Sequence, residues 1–140
     1  MLALSLERPP PATHWGTMNF IVANITFDCD DVLKVADFWS AVMGRSIDEG
    51  GSDAFASIGG ADTKRTEPAW YFNKVEEPKA TKNRMHLDLV NPDPSSVDDL
   101  VQLGAKLVRQ VDWGFHAWTV LEDPEGNEFC VAAKAYEDRT

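Results

Sequence analysis

One arrangement constrains this chain more than any other: an alternating strand followed by an amphipathic helix and a glycine stop, occurring twice. In the first copy Ile25, Phe27 and Cys29 alternate with Asn24, Thr26 and Asp28. A helix signal follows, with Asp30 or Asp31 to cap it, Val32, Val35, Ala36, Trp39, Val42 and Met43 at helical spacing, and Gly44 to end it. In the second copy Met85, Leu87 and Leu89 alternate with Arg84, His86 and Asp88. Asp93 and Pro94 then open a helix carrying Val97, Leu100 and Val101, which Gly104 stops. Three strand-like pieces trail each copy: 45–49, 54–58 and 69–74 in the first, and 107–111, 117–122 and 128–132 in the second. Gly50-Gly51, Gly59-Gly60 and the run Asp123 to Asn127 supply turns. The pattern predicts an α+β fold of two βαβββ modules. A helix can cover only one face of its sheet, so two such modules form cupped mixed sheets around a ligand cavity.

Apolar residues make up 44% of the 140, which suits one hydrophobic core and not two. The expected organisation is a flexible arm over 1–18, broken by Pro9, Pro10 and Pro11, a single domain over 19–135, and a tail over 136–140. Within the domain the modules run from about 20 to 74 and 83 to 133, and the polar stretch 75–83 connects them. Asp and Glu outnumber Lys and Arg by 23 to 13, a net charge of −10, so nucleic acid and anionic membrane are excluded as partners. The N-terminal stretch reads as neither a signal peptide nor a membrane span. Cys29 and Cys130 are too few and too far apart for a disulfide framework, and a cytoplasmic location is expected.

The motifs themselves carry a resemblance. NITFDCDDVLKVADFWSAVMG (24–44), with its aromatic pair Phe38-Trp39, RMHLDL (84–89), LVQLGAKLV (100–108) and WTVLEDPEGNEFCV (118–131) resemble, in order and spacing, the modules of the vicinal oxygen chelate superfamily. That superfamily gathers glyoxalase, bleomycin resistance and dioxygenase relatives, and the similarity is to its glyoxalase-like branch. The resemblance implies a divalent metal held from the first, fourth, fifth and eighth strands. The first-strand position falls on Asn24, a weak ligand, the fifth on His86, which matches, and the eighth on Cys130, where a Glu is usual. The fourth lies somewhere in 69–73. The usual metal site is therefore not expected and no cofactor is predicted; if a metal is held, His86 with Glu128 or Cys130 would hold it. Homodimers are common in the family, so one is expected here.

The residues reduce to a short set of candidates. His86, with Asp88 two positions along the same strand face, is the candidate catalytic pair, the carboxylate orienting the imidazole. Asn24, Trp70, Phe72, Trp118, Glu128 and Cys130 are the candidate ligand-binding residues. Core packing would account for at least half of the aromatic residues, and an unreactive buried thiol would account for Cys130. The expected activity is small-molecule binding in the cavity. The alternatives are a metal-dependent lyase, isomerase or dioxygenase, and a protein that sequesters a cationic antibiotic.

Overall fold

A computed structural model describes residues 19–135 except 63, 65 and 66. The expected arm and tail lie outside the described residues. Two sheets form. In the first, β1 (Asn24–Cys29) pairs in parallel with β3 (Ala69–Lys74), which pairs antiparallel with β2 (Phe55–Ile58). In the second, β4 (Leu87–Val90) pairs in parallel with β7 (Glu128–Ala132), which continues antiparallel to β6 (Ala117–Glu122) and β5 (Lys106–Asp112). Each module thus places its last strand beside its first, and the duplicated order read from the sequence is present in space.

Helix α1 (Val32–Met43) begins where Asp31 accepts a bond from Lys34 N at 3.2 Å. It ends at Gly44, which adopts φ 63° and donates to the carbonyls of the last turn. That left-handed geometry suits glycine. Helix α2 (Ser96–Leu103) starts two residues later than expected, capped in position by Ser95. Asp93 Oδ1 instead accepts from both Ser95 N and Ser95 Oγ at 2.9 Å, and this local turn holds the chain out of the helix until Ser96.

Three further differences from the sequence reading have physical causes. The first module was expected to begin at about residue 20, but Phe20, Ile21 and Val22 lie outside the sheet and are exposed, since β3 offers Asn24 its first partner at Ala69. The piece 45–49 makes only one bridge, Ile47 to Ile58. Asp48 explains this: its Oδ2 accepts from Ser57 Oγ at 2.6 Å and Gly60 N at 2.7 Å, which curls the segment around a turn. Finally, β4 begins at Leu87, so His86 stands just before the strand and not within it.

One core serves both modules. Ile25, Phe27 and Cys29 of β1 face Trp70, Phe72 and Lys74 across the sheet, and Phe27 stacks on Trp70 and Phe72. Trp39 of α1 touches Phe27 and Trp70 on one side and Phe129 of β7 on the other, with ring centroids 5.0 to 5.6 Å apart. Its indole N–H donates to Asp123 Oδ2 at 3.0 Å in the interior. Helix α1 buries Val32, Val35, Ala36, Phe38 and Trp39, whereas α2 buries only Leu100. The first helix is therefore the main wedge of the domain.

Candidate functional site

The open face of the second sheet is built by register. Leu87 and Leu89 pair with Phe129 and Val131, and Phe129 and Val131 are buried in the core; the alternate residues Asp88 and Cys130 point the other way. Val120 sits opposite Cys130 on β6, and Arg109 opposite Val120 on β5. Asp88, Cys130, Val120 and Arg109 thus form a row across all four strands. A cavity of about 470 Å³ opens over this row and is lined also by His86, Trp118 and Glu128. A neighbouring cavity of about 570 Å³ lies toward β1, with Thr26, Asp28, His86 and Glu128 among its walls. Both volumes fall in the range of small-molecule sites.

His86 Nε2 lies 3.4 Å from Asp88 Oδ1, the contact expected of that pair, and both side chains are accessible to solvent. Cys130 is almost wholly buried. Burial pushes its thiol pKa up from 9.0, and the Asp88 carboxylate pushes it the same way by charge and as a hydrogen-bond acceptor; Arg109 and Lys82 oppose more weakly. The thiol therefore stays protonated at neutral pH, an unreactive state. Cys29, deeper in the core, is driven to about 12 by burial and then by neighbouring carboxylates, Glu125 first.

Glu128 has another occupation. Its Oε1 meets Lys79 Nζ at 3.1 Å and its Oε2 accepts from Asn83 N at 2.9 Å, so the carboxylate pins the 75–83 connection to β7. Lys79 also bonds the Thr81 carbonyl. Burial alone would raise the Glu128 pKa. The Asn83 N–H, its own backbone N–H and the Lys79 ammonium outweigh that, and the group sits below its ordinary 4.5. A carboxyl with a depressed folded value stabilises the fold above its unfolded value, and that stability is lost as pH falls through the folded value. Replacing Glu128 by Gln is expected to cost about 2 kcal/mol at neutral pH. In urea denaturation across a pH series, the gap between variant and wild type should hold down to the ordinary 4.5 and close below it. A gap that persists unchanged in stronger acid would show that the ion pair contributes nothing.

Trp70 and Phe72 do not line either cavity. Both are buried, against Phe27 and, for Trp70, Trp39, which corrects their expected place among the ligand-binding residues. The reason is phase: three successive aromatics, Trp70, Tyr71 and Phe72, must alternate, and the pairing with Ile25 and Phe27 turns the outer two inward. Asn24 also stands apart from the His86 cavities, its Nδ2 donating to Thr26 Oγ1 at 2.9 Å. Trp118, Glu128 and Cys130 do share a cavity with His86 and Asp88. The sequence reading missed Arg109, Lys82 and Lys134, which line it as well, and it could not place the fourth-strand position. Register now does: Thr26 pairs with Tyr71 as Asp88 pairs with Cys130, so Tyr71 is the counterpart of Cys130.

The metal positions implied by the resemblance are thus Asn24, Tyr71, His86 and Cys130, which offer one good ligand and no carboxylate. They do not fit the family's divalent ion. A different grouping, His86, Asp88 and Cys130, brings its ligand atoms within 4.8 Å of one another. Its thiol is held protonated beside Asp88, and Arg109 and Lys82 add positive charge next to it.

Set against known proteins, the two-module fold with its open second sheet defines a vicinal oxygen chelate protein. The family model described as "Glyoxalase-like domain" matches residues 24–132, and the chain belongs to that family. Among curated proteins none matches. Solved structures share the fold. A glyoxalase/bleomycin resistance/dioxygenase family enzyme from Burkholderia phytofirmans is 22% identical, with a TM-score of 0.59 over 79% of this chain and 95% of that one. The fosfomycin resistance protein of Listeria monocytogenes, complexed with Mn(II) and a dihydroxypropylphosphonic acid, gives a TM-score of 0.67 at 11% identity over 86% and 94% of the two chains. The bleomycin-binding protein of Streptomyces verticillus, complexed with copper(II)-bleomycin, gives 0.54 at 16% identity over 85% and 100%.

Proposed function

We propose that this chain binds a small molecule in the cavity over β4, β7, β6 and β5, without the divalent metal site usual for its fold. One observation carries the reading: a cavity of ligand size in which His86, Asp88, Cys130 and Trp118 converge, while the implied metal positions hold Asn24 and Tyr71. The aromatic wall supplies contact area, and His86 with Asp88 supplies a polar handle that can accept or donate a proton. Neighbours that bind a phosphonic acid or copper-bleomycin are in keeping with a ligand cleft on this scaffold. A second reading, a metal-dependent lyase, isomerase or dioxygenase, is favoured by the closeness of the His86, Asp88 and Cys130 ligand atoms.

Metal analysis of freshly purified protein separates the two. The expected result is substoichiometric zinc, iron, manganese and nickel, unchanged in His86→Ala. Stoichiometric metal that His86→Ala loses would replace the first reading with the second. A homodimer is also proposed, supported by the exposed apolar strip of Phe20, Ile21 and Val22 and by Met85. Sedimentation equilibrium should return twice the mass of the chain, and a monomer at micromolar concentration would remove that part. Cys29 and Cys130, both free and buried, are in keeping with a reducing compartment such as the cytoplasm.

A further inference from the structure

In a chain with a large excess of acid, three basic side chains line one cavity. Lys74 is paired with Asp30, Lys79 with Glu128 and Arg45 with Glu67. Lys82, Arg109 and Lys134 all line the cavity over the second sheet, and among the described residues none of them has a carboxylate within ion-pair distance. The acids on the same walls are Asp88, which faces His86, and Glu128, already held by Lys79 and the Asn83 N–H. Positive charge therefore predominates in the cavity of a protein whose net charge is −10.

Arg109 reaches that cavity by a specific device. In a regular strand Arg109 would share a face with Leu107, which pairs with Leu121 of the core. The register of β5 against β6 slips between Leu107 and Arg109, so that Arg109 and not Val108 stands opposite Val120. Val120 in turn stands opposite Cys130, which lines the cavity. A bulge of this kind re-aims a side chain, and strands commonly carry one beside a binding site. Arg109 is exposed at the mouth of the cavity, with its fork of donors open to a ligand.

The rest of the wall is aromatic. Trp113 and Trp118 meet edge to face with centroids 4.8 Å apart, and His116 lies 5.6 Å from Trp118. Trp113 is 60% exposed, an unusual position for a tryptophan that packs no core.

We infer that the ligand is a small anion with a flat aromatic body: its carboxylate is gripped by the Arg109 guanidinium with Lys82 and Lys134 around it, and its ring lies against Trp118 and Trp113. An Arg fork matches a carboxylate in two parallel bonds, which ammonium groups cannot do. The same charges repel a cation, so a cationic antibiotic does not suit this wall.

The inference rests on the small-molecule reading above, and a matched set of probes keeps the two apart. Naphthoate, naphthamide and naphthylmethylammonium differ in charge at one substituent and can be titrated by calorimetry into wild type, Arg109→Gln and Trp118→Ala. Naphthoate should bind wild type about tenfold more tightly than naphthamide, with the ammonium probe weakest. Arg109→Gln should bring naphthoate down to the naphthamide level, and Trp118→Ala should weaken both. Equal or tighter binding of the neutral or cationic probe overturns the anion assignment while leaving a ligand pocket in place, as does a naphthoate preference that survives in Arg109→Gln. If none of the probes binds wild type, the pocket reading falls and the anion assignment with it.

Discussion

Replacing Trp39 by Ala is expected to cost about 3–5 kcal/mol, the range for deleting a fully buried large aromatic. Trp39 is 1% exposed and touches Phe27, Phe38, Trp70 and Phe129, residues from the helix itself and from both sheets. Phe27, Trp70 and Phe129 are held by strand pairing, which limits how far they can move into the space. A loss of this size is a large part of the about 5–15 kcal/mol that holds a typical domain folded. Guanidinium denaturation followed by far-ultraviolet circular dichroism checks it: the midpoint should fall steeply with the slope unchanged. A loss below about 1 kcal/mol would mean that the site collapses freely and that Trp39 does not brace the two sheets. Trp39→Phe should retain much of the packing and lose about 1–2 kcal/mol, mainly through the indole bond.

The second large effect is expected at the other end of that bond. Asp123 is 3% exposed and its carboxylate accepts four hydrogen bonds. Oδ1 takes Glu125 N and Asn127 N, both at 2.9 Å, and Oδ2 takes Trp39 Nε1 and Asn127 Nδ2, both at 3.0 Å. It shapes the β6–β7 hairpin and ties that hairpin to α1. Asp123→Ala strands the buried indole N–H and frees the turn, at an expected cost of about 3 kcal/mol. Asp123→Asn keeps the volume but turns one acceptor into a donor that faces other donors, and should recover less than half of the loss. Because Asp123 and Trp39 touch, the pair Asp123→Ala with Trp39→Phe should fall short of additivity by about 1 kcal/mol. Strict additivity would show that the hydrogen bond adds nothing to packing.

Much of the scaffold was legible because it is locally encoded. The apolar spacing of Val32 to Met43, an Asp cap at 30 or 31 and the Gly44 stop define α1 without reference to the rest of the chain. Alternation likewise put Asn24 and His86 on the polar side of their segments. What was not legible depends on pairing. The run Trp70, Tyr71, Phe72 has no phase until β1 is laid beside it, so two core residues looked like pocket residues and Tyr71, the true counterpart of Cys130, stayed hidden. Arg109 was invisible for a related reason: alternation from Leu107 points it at the core, and only the slipped register of β5 reverses it. The cluster of Lys82, Arg109 and Lys134 is drawn from three separate segments, which no spacing rule connects. Asp48 overrode a strand pattern by capping a turn from nine and twelve residues away.

The span of Trp39 between the two sheets also sets an order of events during synthesis. Helix α1, β2 and β3 are complete once the chain has been made as far as Lys74, and the first sheet can then close over Phe27, Trp70 and Phe72. The outer faces of Phe38 and Trp39 have no cover at that stage, because Phe129 belongs to the final strand. The nascent first module therefore carries a sticky aromatic surface through the making of the next fifty or so residues, a reason for it to engage a ribosome-bound chaperone. Arrival of β7 then seats that surface and forms the ligand-bearing sheet in one stroke, so a chain that stops short of Phe129 should aggregate instead of persisting as a folded half.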